Sequence, residues 1–138
     1  MRADEGERLR EVARAAKGHW DYDAEQVRSW AAGLDYGGKD VWAAEEGGHV
    51  AAYGTLVVEG ERAKLDELWV EPEWIGHGVG SALFRFLAAR ARRLGARRLE
   101  WEADPNSVGF YERMGGRYLR DSEPSEWGRI LPIMGMKL

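Results

Sequence analysis

Residues 74–83 read WIGHGVGSAL, with glycine at positions 76, 78 and 80 just before a run of helix-forming residues. Alternating glycines cost chain entropy on folding, so the backbone there must need room or an unusual conformation. A glycine loop feeding a helix start is a physical anion site. The first-turn amides lack helical partners, the dipole adds partial positive charge, and missing side chains let oxygens reach the backbone. The same spacing also serves a tight strand-to-helix turn. Two nucleotide loops do not fit: no lysine follows these glycines as in G-x-x-x-x-G-K-[ST], and Ser81 or Leu83 falls where G-x-G-x-x-G needs its last glycine. Carboxylates that could act as a base sit at Glu67, Glu71, Glu100 and Glu102. On strands such groups usually face solvent. His19, His49 and His77 are too dispersed for a metal motif, and with no cysteine the expected metal content is none.

The elements that must position these groups follow from periodicity. Asp4–Lys17 is expected to be a helix with Leu9, Val12, Ala13 and Ala16 on one stripe. Asp23 can cap a second helix that turns Val27, Trp30 and Leu34 to one face. VWAAEE, GG and HVAAYGTLVV spell a hairpin, and AKLDELWV a third strand with Leu65, Glu67 and Trp69 on one side. Gly80–Leu94 reads as the strongest helix, with Leu83, Leu87, Ala91 and Leu94 inward and Gly95 as its stop. RRLEWE is a strand, DPNS a turn and cap, SVGFYERM a short helix, and RYLRD and GRILPIMGMKL closing strands. The order α-α-β-β-β-α-β-α-β-β predicts an α+β fold in one domain spanning residues 1–138.

At 138 residues the chain is long enough for a real core. Its N-terminal stretch is too polar for a signal peptide, and no window is apolar enough for a membrane helix, so no membrane is expected and the cytoplasm is the default setting. The net charge of −4 disfavours nucleic acid. Acids dominate the first half, whereas none lies between Glu73 and Glu100, where six arginines do. A solvated arginine face explains most of them, and an anionic ligand on the C-terminal half is the sharper reading.

LDELWVEPEWIGHGVGSALFRFL closely resembles the acetyl-CoA loop of the GNAT superfamily of N-acetyltransferases, through Val70, Pro72, Gly78 and Gly80. DPNSVGFYERMGG resembles that superfamily's second signature through Asn106, Phe110, Tyr111, Glu112 and Gly115. The two are separated by one helix and one strand, and together cover roughly residues 65–116. Three departures stand out. Ile75 occupies a position where Gln or Arg is usual, the family's opening strand is short or missing, and the Asn-to-Tyr segment is shortened.

The resemblance implies a mixed, mostly antiparallel central sheet flanked by helices. It also implies direct transfer of an acetyl group from acetyl-CoA to a primary amine, on a small-molecule or peptide acceptor, with a homodimer allowed. The pyrophosphate would rest on the amides of His77, Gly78, Val79, Gly80, Ser81 and Ala82. The pantetheine arm would run along Trp69, Val70 and Glu71, where the Val70 amide would meet the thioester oxygen. Asn106 would contact the same arm; as a residue it reads equally as a helix N-cap. Tyr111 would protonate the leaving thiolate, and Glu67 or Glu102 would be the base. Trp20, Trp30 and Trp42 read as mostly core. Trp20, Asp21, Tyr22 and Asp23 border the family's acceptor cleft, with an aromatic face and carboxylates suited to a cationic amine. Two other readings stay open on the residues alone: an acyl-CoA-binding domain without turnover, and an interaction module whose glycines serve only the turn.

Overall fold

The computed structural model describes residues 3–19, 23–124 and 128–138. Its elements are α1 (Ala3–Gly18), α2 (Ala24–Ala32), β1 (Asp40–Glu46), β2 (His49–Glu59), β3 (Arg62–Val70), α3 (Val79–Arg93), β4 (Arg98–Glu102), α4 (Val108–Arg113), β5 (Arg117–Asp121) and β6 (Pro132–Lys137). Single 3₁₀ turns at Pro72–Trp74 and Pro105–Ser107 precede α3 and α4. The strands form one mostly antiparallel six-stranded sheet in the order β1-β2-β3-β4-β6-β5. Among the described residues no strand precedes α1.

The chain divides into two compact units, Met1–Thr55 with Glu67–Phe84 and Leu56–Asp66 with Arg85–Leu138. In the first, the predicted α1 stripe is buried: Leu9, Val12, Ala13 and Ala16 are each at most 5% exposed. Leu9, Val12 and Ala13 cluster with Tyr36 and Tyr53, and Trp30, Leu34, Val41, Val50 and Trp69 pack against them. Two arginines tie α1 down along its length. Arg8 Nη2 donates to the Val50 carbonyl and Arg10 Nε to that of Leu34, each at 2.9 Å. Asp23 caps α2 as expected, its carboxylate accepting from the Gln26 amide at 3.0 Å. Gly47 and Gly48 both take positive φ, which the tight β1–β2 turn requires.

In the second unit β3 and β4 run parallel, pairing Arg62 with Arg98, Ala63 with Leu99 and Lys64 with Glu100. The described pairing stops there. β4 pairs antiparallel with β6 out to Glu102, through Trp101↔Met134 and Glu102↔Ile133. Trp101, 1% exposed, is the largest fully buried side chain, while Trp30 and Trp42, expected to be core, are only half-buried and Trp20 lies outside the described residues. Leu94 corrects the predicted α3 stripe: the helix ends at Arg93, so Leu94 is 44% exposed, whereas Leu83, Leu87 and Ala91 are buried. Gly116 and Gly135 mark close packing. A Cβ on Gly116 would lie 2.6 Å from the Trp101 ring, and one on Gly135 would lie 2.7 Å from Leu119.

Candidate active site

The loop between β3 and α3 lies in the first unit. Glu71 leaves the strand with its amide donating to the Ala51 carbonyl at 2.8 Å, and its carboxylate meets Arg8 at 2.8 Å. Pro72 starts the 3₁₀ turn, whose carbonyls take the amides of Ile75 and His77. Gly76 and Gly78 then adopt φ of +85° and +79°, a region that side-chain-bearing residues avoid. A Cβ on either would meet nothing within 4 Å, so backbone conformation and open space, not crowding within the chain, account for these two glycines. Gly80 differs, because it already lies inside α3.

The first helical bond runs from the Ala82 amide to the Gly78 carbonyl at 3.0 Å. His77 and Ala82 therefore spend their amides on the chain itself. Gly78, Val79, Gly80 and Ser81 are the four positions whose amides a helix start leaves without helical partners. That donor set, behind two side-chain-free positions, fits a pyrophosphate. Exposed Ile75 contributes no polar atom beyond its backbone, and exposed His77 stacks edge-on against Trp74 at 5.5 Å.

Glu67 does not behave as an ordinary strand carboxylate. It is 8% exposed, accepting from Tyr53 Oη at 3.0 Å on one oxygen and from Thr55 Oγ1 at 3.5 Å on the other. Because Tyr53 gives its single proton to Glu67, Tyr36 must donate to Tyr53 across their 2.8 Å contact. Burial and the nearby Glu67 charge raise the Tyr53 phenol far above its ordinary range. Burial likewise pushes Tyr36 up to about 12, and the nearby Glu67 charge adds to the shift. Both phenols stay neutral donors at physiological pH. Sequence reasoning named none of Tyr36, Tyr53 or Thr55, although Tyr53 and Thr55 share one face of β2 by alternation. Trp69 and Val70, at the end of β3, are half-buried, and Trp69 Nε1 is buried without a hydrogen-bond partner among the described residues.

The second unit holds the other predicted residues. Tyr111 on α4 is 7% exposed, its ring 5.0 Å from Trp101 and 5.1 Å from Phe110. Burial, then the negative charge of Asp104, holds its phenol above the usual value. Asn106 is not a helix cap. Asp104 is the cap of the 3₁₀ turn, and its Oδ1 accepts both the backbone amide and the side-chain Nδ2 of Asn106 at 2.9 Å. Ser107 stands at the start of α4 and makes no side-chain cap bond. Glu102 is exposed on β4, while Glu100 accepts from Arg120 at 2.8 Å. Among the described residues no group of three His, Asp or Glu side chains is placed to hold a metal. No helix among them is long and apolar enough to cross a membrane. The suggested acceptor residues Trp20, Asp21 and Tyr22 lie outside the described residues; Asp23 is exposed as the α2 cap.

The profile of the acetyltransferase (GNAT) family matches residues 7–116. The chain belongs to the GNAT family of acetyltransferases. No curated protein matches it. Solved structures of the same fold include a GCN5-related N-acetyltransferase from Rhodopseudomonas palustris, with TM-score 0.84 and 22% identity over 100% of this chain and 92% of that one. The PaiA N-acetyltransferase of Thermoplasma acidophilum, solved in complex with coenzyme A, aligns with TM-score 0.78 and 20% identity over 100% and 96%. The ribosomal-protein-S18-alanine N-acetyltransferase of Escherichia coli aligns with TM-score 0.75 and 18% identity over 99% and 90%. In this GNAT chain the matched segment contains both the glycine loop and Tyr111.

Proposed function

We propose that this protein, as one domain over residues 1–138, moves an acetyl group from acetyl-CoA directly to a primary amine of a small molecule or peptide. One observation carries the reading: the amides of Gly78, Val79, Gly80 and Ser81 stand at a helix start behind two left-handed glycines, inside the segment that matches the family. These four amides would hold the pyrophosphate, which narrows the expected set by His77 and Ala82. Trp69, Val70 and Glu71 would flank the pantetheine arm, with Asn106 a further contact. When bound, acetyl-CoA supplies the activated thioester.

The chain's own contribution is positioning and proton management. The Val70 amide would donate to the thioester oxygen as charge grows there. An acceptor ammonium titrates near ~10 in water and must lose a proton before attack. Buried Glu67, held by Tyr53 and Thr55, suits that role better than exposed Glu102. Tyr111, held above the ordinary phenol value, is a weaker acid than a thiol of pKa ~8.5. It would therefore serve the departing sulfur as a fixed hydrogen-bond donor that is protonated at every working pH. A thioester donor of cell metabolism makes the cytoplasm the setting this reading requires.

The test is thermal stability with and without acetyl-CoA, followed by thiol release over a panel of amines. The chain has no cysteine, so a thiol reagent sees only liberated CoA. Stabilisation by acetyl-CoA and amine-dependent release are expected. Absence of any shift would overturn the reading, and a shift without release would point to a binding domain.

A further inference from the structure

Lys17, the last-turn cation of α1, is seated on aromatic rings. Its Nζ lies 4.0 Å from the centroid of Trp30 and 5.9 Å from that of Trp69. The two rings meet edge-on at 5.1 Å and 72°. A lysine at a helix C-terminus gains from the dipole with its stem free in water, so that position alone does not call for aromatic neighbours. Here the cation–π contact offsets the rotamer entropy of fixing a long side chain. A primary amine is thereby held in place.

The location makes that amine a candidate reactant. Trp69 lies two residues beyond Glu67 on β3, and strand alternation puts both side chains on one face. Val70, whose amide would meet the thioester oxygen, follows directly. The remaining lysines sit elsewhere: Lys39 in the turn before β1, Lys64 near the start of β3 with Asp66 at 3.6 Å, and Lys137 exposed at the end of β6.

We propose that Lys17 is an acetyl acceptor within this chain, modified in cis; the inference rests on the acetyl-transfer reading above. The ammonium first loses a proton to Glu67 or water. The neutral Nζ attacks the thioester carbonyl, the N–C bond forms and the C–S bond breaks. The second N–H proton ends on the CoA thiolate, so ammonium and acetyl-CoA give N-acetyl-lysine, CoA and one released proton. Acetylation removes the charge, and with it the cation–π hold of Trp30 and Trp69.

The test is incubation with acetyl-CoA and no added amine, followed by peptide mass mapping of all four lysines. Lys17 is expected to gain an acetyl group at least ~10-fold faster than Lys39, Lys64 or Lys137, because it would react from a position fixed against Trp69, next to Val70. Its first-order rate should not change on dilution. Trp30→Leu should bring Lys17 down to the rate of the others, and Lys17→Arg should remove the fast component of labelling, leaving the slow labelling of the other three lysines, while keeping the cation. Labelling of Lys17 no faster than the rest, or a rate that falls on dilution, overturns the proposal. The same preparation is assayed for acetyl-CoA stabilisation and amine-dependent thiol release. If those are present while Lys17 stays unlabelled, this inference falls alone; if they are absent, the acetyl-transfer reading falls with it.

Discussion

At the scale of single residues, Tyr111 and Glu67 are opposite cases of the same burial. A phenol loses nothing by staying neutral in an apolar site, so burial fixes Tyr111 as a donor. Tyr111→Phe keeps the ring against Trp101 and Phe110 and removes only the hydroxyl. Turnover should drop by roughly 100-fold with acetyl-CoA affinity little changed, read as kcat against the dissociation constant of the cofactor. Because its phenol titrates above the ordinary ~10, wild-type activity should show no alkaline limb from Tyr111 below that pH. A carboxylate, by contrast, needs donors when buried. Tyr53→Phe deletes the 3.0 Å bond to Glu67 and keeps the longer 3.5 Å bond from Thr55. Losing a donor disfavours the charged form, so the acid limb of kcat/KM should move to higher pH, and stability should fall by about 1–3 kcal/mol. An unmoved limb would remove Tyr53 from the catalytic account and leave it a core residue.

At the scale of elements, the glycine loop and the α4 turn position their groups by different means. The loop works through backbone conformation. Gly76→Ala or Gly78→Ala would meet no atom, yet would force a side chain into the left-handed region at about 1–2 kcal/mol. Ile75 belongs to the same element. If the Gly78–Ser81 amides supply the grip, Ile75→Gln should change acetyl-CoA affinity by less than about 3-fold, since an exposed hydrogen bond is worth little beside the amides it joins. Calorimetric titration of both proteins decides it, and a large gain would show that the loop lacks a needed side chain. The α4 turn works through contact. Gly116 follows α4 and leaves no room for a Cβ between the Trp101 ring and the Tyr111 carbonyl. Gly116→Ala should destabilise by about 1–3 kcal/mol by overpacking, and should lower kcat as Tyr111 shifts. Denaturant midpoints and turnover, measured together, check both effects.

At the scale of the whole molecule, the three buried phenols with raised titration, Tyr36, Tyr53 and Tyr111, give a signature in alkali. Below pH ~10 each is protonated in both folded and unfolded chains, so stability does not depend on them. Above that, the unfolded chain releases protons that the folded chain keeps, and stability falls; for Tyr36 the window runs from about 10 to about 12. Urea unfolding across that range should show a loss that Tyr36→Phe makes shallower by at most about 1.4 kcal/mol per pH unit. An identical slope in the variant would mean that Tyr36 titrates normally.

Much of this was legible in the sequence, because it follows from local rules. Periodicity placed every helix and strand in order, since apolar residues at 3.6 or 2.0 spacing bury only when the matching element forms. Glycine spacing before an apolar helix marked the strand-to-helix turn, where Gly76 and Gly78 take positive φ, for a similar reason: a backbone signal is written in the residues that carry it. What escaped depended on long-range contact. Glu67 reads as a solvent-facing strand carboxylate until Tyr53, 14 residues away, donates to it and Tyr36 donates in turn. Asn106 reads as a cap until Asp104 takes that place. Lys17 is in sequence only the end of a predicted helix, and Trp30 and Trp69 give its cation a seat in the structure. In sequence these side chains are only types at positions, and the protonation state and freedom of each are decided by neighbours that tertiary structure alone brings within hydrogen-bond or ring distance.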